Sequence, residues 1–278
     1  MVGWGKSESL DDILEPILLN AGLVTALLFE LKIPIRRDVT ALELVDKILF
    51  RYKEDGSEYK GHDWYEVSEV FEPILAYQFP DSSPFKGDEL AQISGIYLSK
   101  NPQQLSLPFS TETIRSFEKI CLEGAASIPY ENLLFSLTSV RWKYSFLDVY
   151  RCVEHLFSVF MLDKLHQRLK IPIPLIEFSV ELEDHLGWRP KEDDTLKLLI
   201  EPSPEEAKQL LREVKLFLDS DAYGDLGIRF YKIRNAIVHY RPASERLNLN
   251  DENWDKLIRA TLLIIEHWYT EYDPKLPL

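Results

Sequence analysis

The pattern of hydrophobic and polar positions predicts long helices over the second half of the chain. Apolar residues between positions 142 and 170 recur at steps of four, three, four and three, which is the spacing of one buried face of an α-helix. This stripe consists of Phe146, Tyr150, Val153, Phe157 and Phe160. We therefore predict a single helix over 142–170, ended by the prolines of 171–175.

Start and stop signals predict further helices towards the C-terminus. Ser203 followed by Pro204 and two glutamates is typical of an N-cap and a first helical turn. The first predicted helix covers 178–188, and the second runs from Ser203 to about 218, where the segment 219–225 breaks it. A third helix follows up to Arg241, before Pro242, and the last runs from about Asn250 to about Tyr272. From about residue 110 the chain is thus expected to form an antiparallel helical bundle.

The first hundred residues give a weaker pattern. Residues 12–31 and 40–53 are predicted to be helical, whereas 61–79 fits either a helix or a strand. The segments 79–89 and 99–113 are rich in proline, serine and polar residues and are predicted to be loops. With the second loop as the boundary, we expect a mainly α protein with a mostly helical or α+β N-terminal region, 1–108, and a helical domain, 109–278.

Composition narrows the class of protein. The chain has 278 residues, with 46 acidic and 32 basic side chains and a formal net charge of −14. This charge argues against a generic nucleic-acid coat protein, which needs a positive surface. Two cysteines do not make a disulfide framework. The sequence shows no signal peptide, and its longest charge-free apolar stretch, 16–29, is shorter than the ~20 residues of a membrane helix. We expect a reducing cytoplasm and no membrane partner.

The polar residues of the helix before Pro242 are the candidates for chemistry. Its core stripe is predicted to be Leu226, Phe230, Ile233, Ile237 and Tyr240. At about 100° per residue, Asn235 and His239 share a face turned away from that stripe, with Arg234 on its shoulder. One interpretation is that these three residues form half of a site completed by another surface. The other is a solvent-facing or subunit-interface histidine without chemistry.

The run Arg234-Asn235-x-x-x-His239 resembles the R-x4–6-H motif of HEPN domains, including the asparagine that often follows the arginine. Residues 146–157 look like the aromatic-rich early helix of that family, which often bears a polar or acidic residue. The resemblance covers about 110–275 and leaves out the first hundred residues. It implies a helical bundle that dimerises and brings two motifs into one cleft.

Many HEPN proteins are metal-independent ribonucleases of toxin–antitoxin, abortive-infection and CRISPR systems. The resemblance therefore implies an endoribonuclease that acts as a toxin or anti-phage effector, with no cofactor and no metal. The implied partners are a second copy of the chain, an RNA substrate, and an antitoxin or regulatory protein, while 1–108 would sense or regulate. The alternative is a non-catalytic HEPN-like module for dimerisation and for binding a partner or a nucleotide.

The same resemblance assigns roles to the motif. His239 is the expected general acid or base, Arg234 the clamp for the transition-state phosphate, and Asn235 a positioning group. Glu154 is expected to support the site because an early-helix acid often pairs with the motif arginine in this family. A solvated helix charge is the alternative for Glu154.

Lys232, Tyr240 and Arg241 are the expected substrate contacts, although Tyr240 also fits the core stripe. In some toxins of the family the motif continues H-x-Tyr, and that tyrosine is modified by a nucleotidyltransferase antitoxin. Here Arg241 occupies that position and Tyr240 comes one place early. This departure argues against that mode of neutralisation.

Two further patterns bear on ligands. No two of the six histidines lie three or four positions apart, so the pairs Glu181/His185 and Asp163/His166 are weak metal signals and no metal site is predicted. Residues 229–246 contain five basic residues and one acid. They predict a small basic cleft for RNA on an otherwise acidic body.

Overall fold

The structure, a computed structural model, describes residues 2–4, 15–31, 33–46, 64–71, 74–78, 89–214, 225–238 and 249–276. The protein is mainly helical. It divides into two compact units, 1–90 and 91–278. No helix within these described ranges is long and apolar enough to cross a membrane.

The first unit contains a small antiparallel sheet. Its strands are β1 (Val2–Trp4), β2 (Glu15–Ile17) and β3 (Ile74–Gln78), in the order β1-β3-β2. Ala76 in the middle of β3 pairs with Val2 on one side and with Ile17 on the other. The sheet therefore joins segments from both ends of the unit.

Short helices accompany this sheet: α1 (Ala21–Leu31), α2 (Ala41–Leu44) and α3 (Trp64–Ser68). The helix predicted over 12–31 is wrong for Glu15–Ile17, which form β2. Pro16 has no N–H and disfavours helix at the preceding residue, and an edge strand tolerates it. The helix starts only after Asn20, whose Oδ1 accepts the N–H of Leu23 at 2.9 Å. The ambiguous stretch 61–79 contains both a helix, α3, and a strand, β3.

The second unit is helical throughout its described parts. Its helices are α4 (Leu90–Lys100), α5 (Thr111–Glu123), α6 (Tyr130–Thr138), α7 (Trp142–His155), α8 (Phe157–Leu169), α9 (Leu175–Leu186), α10 (Glu192–Ile200), α11 (Glu205–Glu213), α12 (Leu226–Val238) and α13 (Asp251–Tyr272). The sequence places 90–100 in the N-terminal region, but α4 belongs to this second unit. Ile93 and Ile96 are buried, and Gln92 donates to the backbone carbonyl of Cys121 at 2.8 Å.

The long helix α13 forms the centre of this unit. Its bounds agree with the predicted helix from Asn250 to Tyr272, and the Asn250 side chain caps it by accepting the N–H of Asn253 at 3.0 Å. Residues on several sides of α13 are buried, including Leu257, Ile258, Leu262, Ile264 and Ile265. A helix with buried residues on most faces lies inside a bundle rather than on its surface.

The single helix predicted over 142–170 is wrong at Leu156, where α7 ends and α8 begins. The Leu156 N–H bonds to Val153 O at 3.1 Å instead of continuing the helical ladder to Cys152 O. The carbonyl of Cys152 instead accepts the hydroxyl of Tyr269 at 3.0 Å. A side chain inserted into the i→i−4 ladder interrupts the helix.

The expected N-cap role of Ser203 is also wrong. Its hydroxyl donates to Leu199 O at 2.7 Å and accepts the indole N–H of Trp268 at 2.9 Å, both in the buried interior. The helix α11 itself ends at Glu213, earlier than predicted, because Val214 has extended backbone angles. Residues 215–218 lie outside the described part of the chain.

Candidate functional site

Burial of one face positions α12. Phe230 and Ile233 are buried, and Leu226 and Ile237 pack half-buried against the same core. The predicted stripe is therefore confirmed for these four positions, while Tyr240 lies outside the described residues. Because this face is packed against the core, the side chains beside it, including Arg234, leave the helix in a fixed direction.

Aromatic contacts join α12 to α7. The ring of Phe230 lies 5.5 Å from that of Phe146 and 5.3 Å from that of Tyr150, measured between centroids. Tyr150 and Glu154 are four residues apart on α7 and share one face. The aromatic packing thus turns the face of α7 that carries Glu154 towards α12.

A glycine lets α12 approach α10. A Cβ added to Gly227 would lie 2.5 Å from the Cα and the backbone nitrogen of Lys197, closer than any real contact. The backbones of the two helices therefore meet at a distance that only glycine permits. Seven residues further along α12, this approach brings Arg234 to Glu192, the first residue of α10.

Arg234 is the centre of a polar cluster. Its Nη2 donates to Glu154 Oε1 at 2.9 Å, and its Nε lies 3.2 Å from Glu192 Oε1. Its Nη1 donates to Asn235 Oδ1 at 3.0 Å. The Arg234 side chain is 20% exposed, and each of its three guanidinium nitrogens has a partner. We call Arg234, Asn235, Glu154, Glu192 and Tyr150 the Arg234 cluster.

Tyr150 belongs to the cluster because it contacts both Glu192 and Arg234. Its hydroxyl donates to Glu192 Oε1 at 2.6 Å, the same oxygen that approaches Arg234, and its ring lies 5.7 Å from the guanidinium carbon. Burial, with the neighbouring Glu192, raises the pKa of Tyr150 far above its ordinary value. The hydroxyl therefore keeps its proton and acts as a donor to Glu192.

The charges of the cluster are not balanced. Burial alone would lower the pKa of Arg234, but the carboxylates of Glu192 and Glu154 raise it, so the guanidinium stays charged. Burial raises the pKa of Glu154, and the attraction of Arg234 only partly offsets this effect. Two carboxylates thus face one guanidinium, and the cluster has excess negative charge when both are ionised.

Arg234 retains donors for a ligand. A guanidinium has five N–H groups, of which one on Nη1 and one on Nη2 are used here, while Nε faces Glu192. Within the described ranges, the second N–H of Nη1 and that of Nη2 have no acceptor. Terminal N–H groups of an arginine are donors for the oxygens of a phosphate or a carboxylate.

Comparison with protein-family models, curated proteins and solved structures finds no match for this chain. The site is therefore interpreted from its own residues. Among the predicted site residues, the structure brings together Arg234, Asn235 and Glu154. His239, Tyr240 and Arg241 lie outside the described residues. Lys232 is half-buried on α12, about 200° around the helix from Arg234.

The sequence did not indicate Glu192 as a site residue. It assigned Tyr150 to the buried stripe and did not indicate a role for its hydroxyl. Glu192 lies 42 residues from Tyr150 and directly before a run of two aspartates, where it reads as an ordinary acid of a first helical turn. Gly227 inside a predicted helix was an available signal of close packing. It does not by itself indicate which helix comes close.

The residues of the two weak metal signals have the following partners. Glu181 and His185 form an exposed pair at 3.0 Å. Asp163 instead pairs with Lys275 at 2.9 Å, and His166 bonds to Ile173 O at 2.7 Å. Over the residues that the structure describes, no three His, Cys, Asp or Glu side chains group as metal ligands.

Proposed function

We propose that the protein is a metal-independent endoribonuclease of the HEPN type that acts as a toxin or anti-phage effector. The observation that supports this proposal is the arrangement of Arg234, which Glu154 and Asn235 hold and which has two terminal N–H groups without an acceptor among the described residues. It lies on the helix that leads directly into His239. The substrate is RNA, because cleavage without a metal uses the ribose 2′-hydroxyl as the nucleophile.

The proposed chemistry requires one proton acceptor, one proton donor and one cation. The 2′-oxygen attacks the phosphorus, its proton passes to a base, and the 5′-oxygen leaves with a proton from an acid. The products are a 2′,3′-cyclic phosphate and a 5′-hydroxyl end. His239 has a side chain suited to both proton transfers near neutral pH.

The cation is Arg234, which stabilises the charge on the phosphate oxygens in the transition state. A single His239 supplies one imidazole, so a homodimer that joins two motifs provides separate base and acid. Lys232, Tyr240 and Arg241 are the proposed substrate contacts. The N-terminal unit is the proposed regulatory or sensing part, and an antitoxin or regulatory protein is the proposed partner.

The test compares purified wild type, R234K and H239A on single-stranded RNA in the presence of EDTA. R234K keeps the positive charge but lacks the planar fork of donors, so we expect a folded protein with at least ~100-fold lower activity. Arg189 is exposed and pairs with Glu183 at the surface, so the control variant R189K should leave the activity unchanged. The products should carry 2′,3′-cyclic phosphate ends.

The proposal fails if wild type leaves RNA intact, or if R234K and H239A cleave as wild type does. Cleavage that stops with EDTA and returns with Mg²⁺ would also overturn it. Growth arrest on expression of wild type, relieved by H239A, tests the effector role separately. The oligomeric state in solution tests the homodimer.

One observation favours the alternative of a non-catalytic module for dimerisation and partner or nucleotide binding. The charge of Arg234 is already matched by two carboxylates, as in a structural ion-pair network. Under this alternative, R234K and R234A would lower stability or dimerisation, and wild-type protein would leave RNA intact at every concentration. The cleavage assay therefore separates the two functions.

A further inference from the structure

We infer that Glu192 is a second positioning residue for Arg234, held in place by Tyr150, and that α10 is therefore part of the site. This inference rests on the proposed function for its activity readout only. The contact itself is a separate claim about the molecule and has its own measurement.

The argument starts from the geometry of Arg234. Glu154 holds one terminal nitrogen, Nη2, and Asn235 holds the other, Nη1. These two contacts leave the guanidinium able to tilt about the line that joins them. Glu192, whose Oε1 forms an ion pair with Nε at 3.2 Å, lies beside the third nitrogen and restricts that tilt. A planar group with a partner at each of its three nitrogens has less freedom than one held at two.

Glu192 is itself fixed. Its Oε1 accepts the Tyr150 hydroxyl at 2.6 Å, and Tyr150 is among the most deeply buried side chains of the protein. The Tyr150 ring also lies beneath the guanidinium, which adds a cation–π contact. A carboxylate that is anchored from the core, rather than free in solvent, can define the direction of its partner.

The consequence for a ligand is orientation. With Arg234 fixed, the terminal N–H groups that have no acceptor among the described residues keep one orientation towards a bound phosphate. A shift of about 1 Å in such a group can cost about 100-fold in rate. Glu192 therefore contributes to catalysis through Arg234 without contacting the RNA.

The first experiment measures kcat and KM for wild type, E192Q, Y150F and the matched control D194N. Asp194 lies in the same first turn of α10, is exposed, and pairs with Lys197, so D194N removes a charge from the same helix end without touching Arg234. We expect kcat/KM to fall about 10- to 100-fold in E192Q and in Y150F and to stay within about 2-fold in D194N. The fall should be mainly in kcat.

Y150F separates positioning from charge. It keeps the Glu192 carboxylate and removes only its anchor, so a role of Glu192 as a mere charge predicts wild-type kinetics for this variant. A merely structural role predicts that E192Q loses active protein, with a lower melting temperature but an unchanged kcat per active site. Either result overturns the inference.

The second experiment does not depend on activity. The Arg234 Nε–H resonance, assigned as the arginine cross-peak absent from R234K, should exchange with water several-fold faster in E192Q than in wild type and D194N. Equal exchange in all three proteins would refute the Glu192 contact even if the protein is an active ribonuclease. Faster exchange with no cleavage by wild type would support the contact and reject the proposed function.

Discussion

The close approach of α10 and α12 predicts a strong effect of one added methyl group. In G227A the new Cβ would lie 2.5 Å from the Cα and nitrogen of Lys197 and 2.8 Å from the carbonyl carbon of Leu196. All three atoms belong to the backbone, so no side-chain rotation relieves the clash. Carbon atoms pack at about 3.5 Å or more, so the helices must separate by about 1 Å.

This separation has a cost in stability that can be worked out. Overpacking of a well-packed interior typically destabilises by about 1–3 kcal/mol, and a clash with backbone atoms that cannot rotate away belongs to the upper part of that range, about 2–3 kcal/mol. The higher helix propensity of alanine returns at most about 1 kcal/mol. We therefore expect a net loss of about 1–2 kcal/mol in the free energy of unfolding, measured by urea titration. For a unit of this size it corresponds to a melting temperature lower by about 2–8 °C.

The same shift should open the Arg234 cluster. Arg234 and Glu192 are 3.2 Å apart at Nε and Oε1, and a further 1 Å moves them beyond contact. The control is G95A, whose Cβ would lie 2.6 Å from the buried Sγ of Cys121, between α4 and α5 and away from the cluster. Both variants should lose stability, but only G227A should accelerate exchange of the Arg234 Nε–H. Wild-type stability and exchange in G227A would refute the close approach.

Three further predictions concern buried groups of the second unit. Burial lowers the pKa of His155, so below about pH 6.5 the unfolded chain binds a proton that the folded chain does not. The free energy of unfolding should therefore fall as the pH drops below about 6.5. In urea titrations from about pH 5 to 7.5, H155Q should reduce the dependence of the unfolding free energy on pH. S203A leaves the buried indole N–H of Trp268 without its acceptor and should cost about 1–3 kcal/mol of unfolding free energy. Burial raises the pKa of Cys121 and of Cys152 to about 12, so about one thiol in 10,000 is ionised at pH 8 and a disulfide reagent should react with them only after unfolding.

Each of these predictions has a control. H185Q changes an exposed histidine and should leave the acid slope of stability intact, so an equal effect of both variants would contradict the assignment to His155. W268F removes the donor, and the double variant with S203A should cost less than the sum of the two single changes. Additive costs would mean that Ser203 and Trp268 do not interact. Rapid labelling of the native protein would contradict the burial of the thiols.

Local chemistry accounts for the parts of the fold that could be predicted. The start of α13 was predicted because the Asn250 side chain caps a helix within three residues of itself. The buried face of α12 was predicted because Phe230 and Ile233 lie on one side of any helix formed by that segment. The family resemblance pointed to Glu154 as a partner of Arg234, and the two side chains form an ion pair.

Two of the failures, at Leu156 and at Ser203, involve a contact from far along the chain. The helix over 142–170 is interrupted by the hydroxyl of Tyr269, more than a hundred residues later. Ser203 does not cap α11, and its hydroxyl instead accepts the indole N–H of Trp268 from far along the chain. At Leu156 and at Ser203 the local sequence is compatible with more than one structure. The contacts with Tyr269 and Trp268 determine which structure forms.

The sequence by itself determined the helical periodicity, the N-cap of α13 and the excess of acidic over basic residues. It also determined the presence of Arg234, Asn235 and His239 in one run. It could not determine the charge around Arg234. The basic cleft expected from residues 229–246 counts only neighbours along the chain, whereas Glu154 and Glu192 come from α7 and α10. Electrostatic interactions depend on distance in space. Only tertiary packing, through the aromatic contacts of Phe230 and the close approach at Gly227, placed two carboxylates beside the one guanidinium.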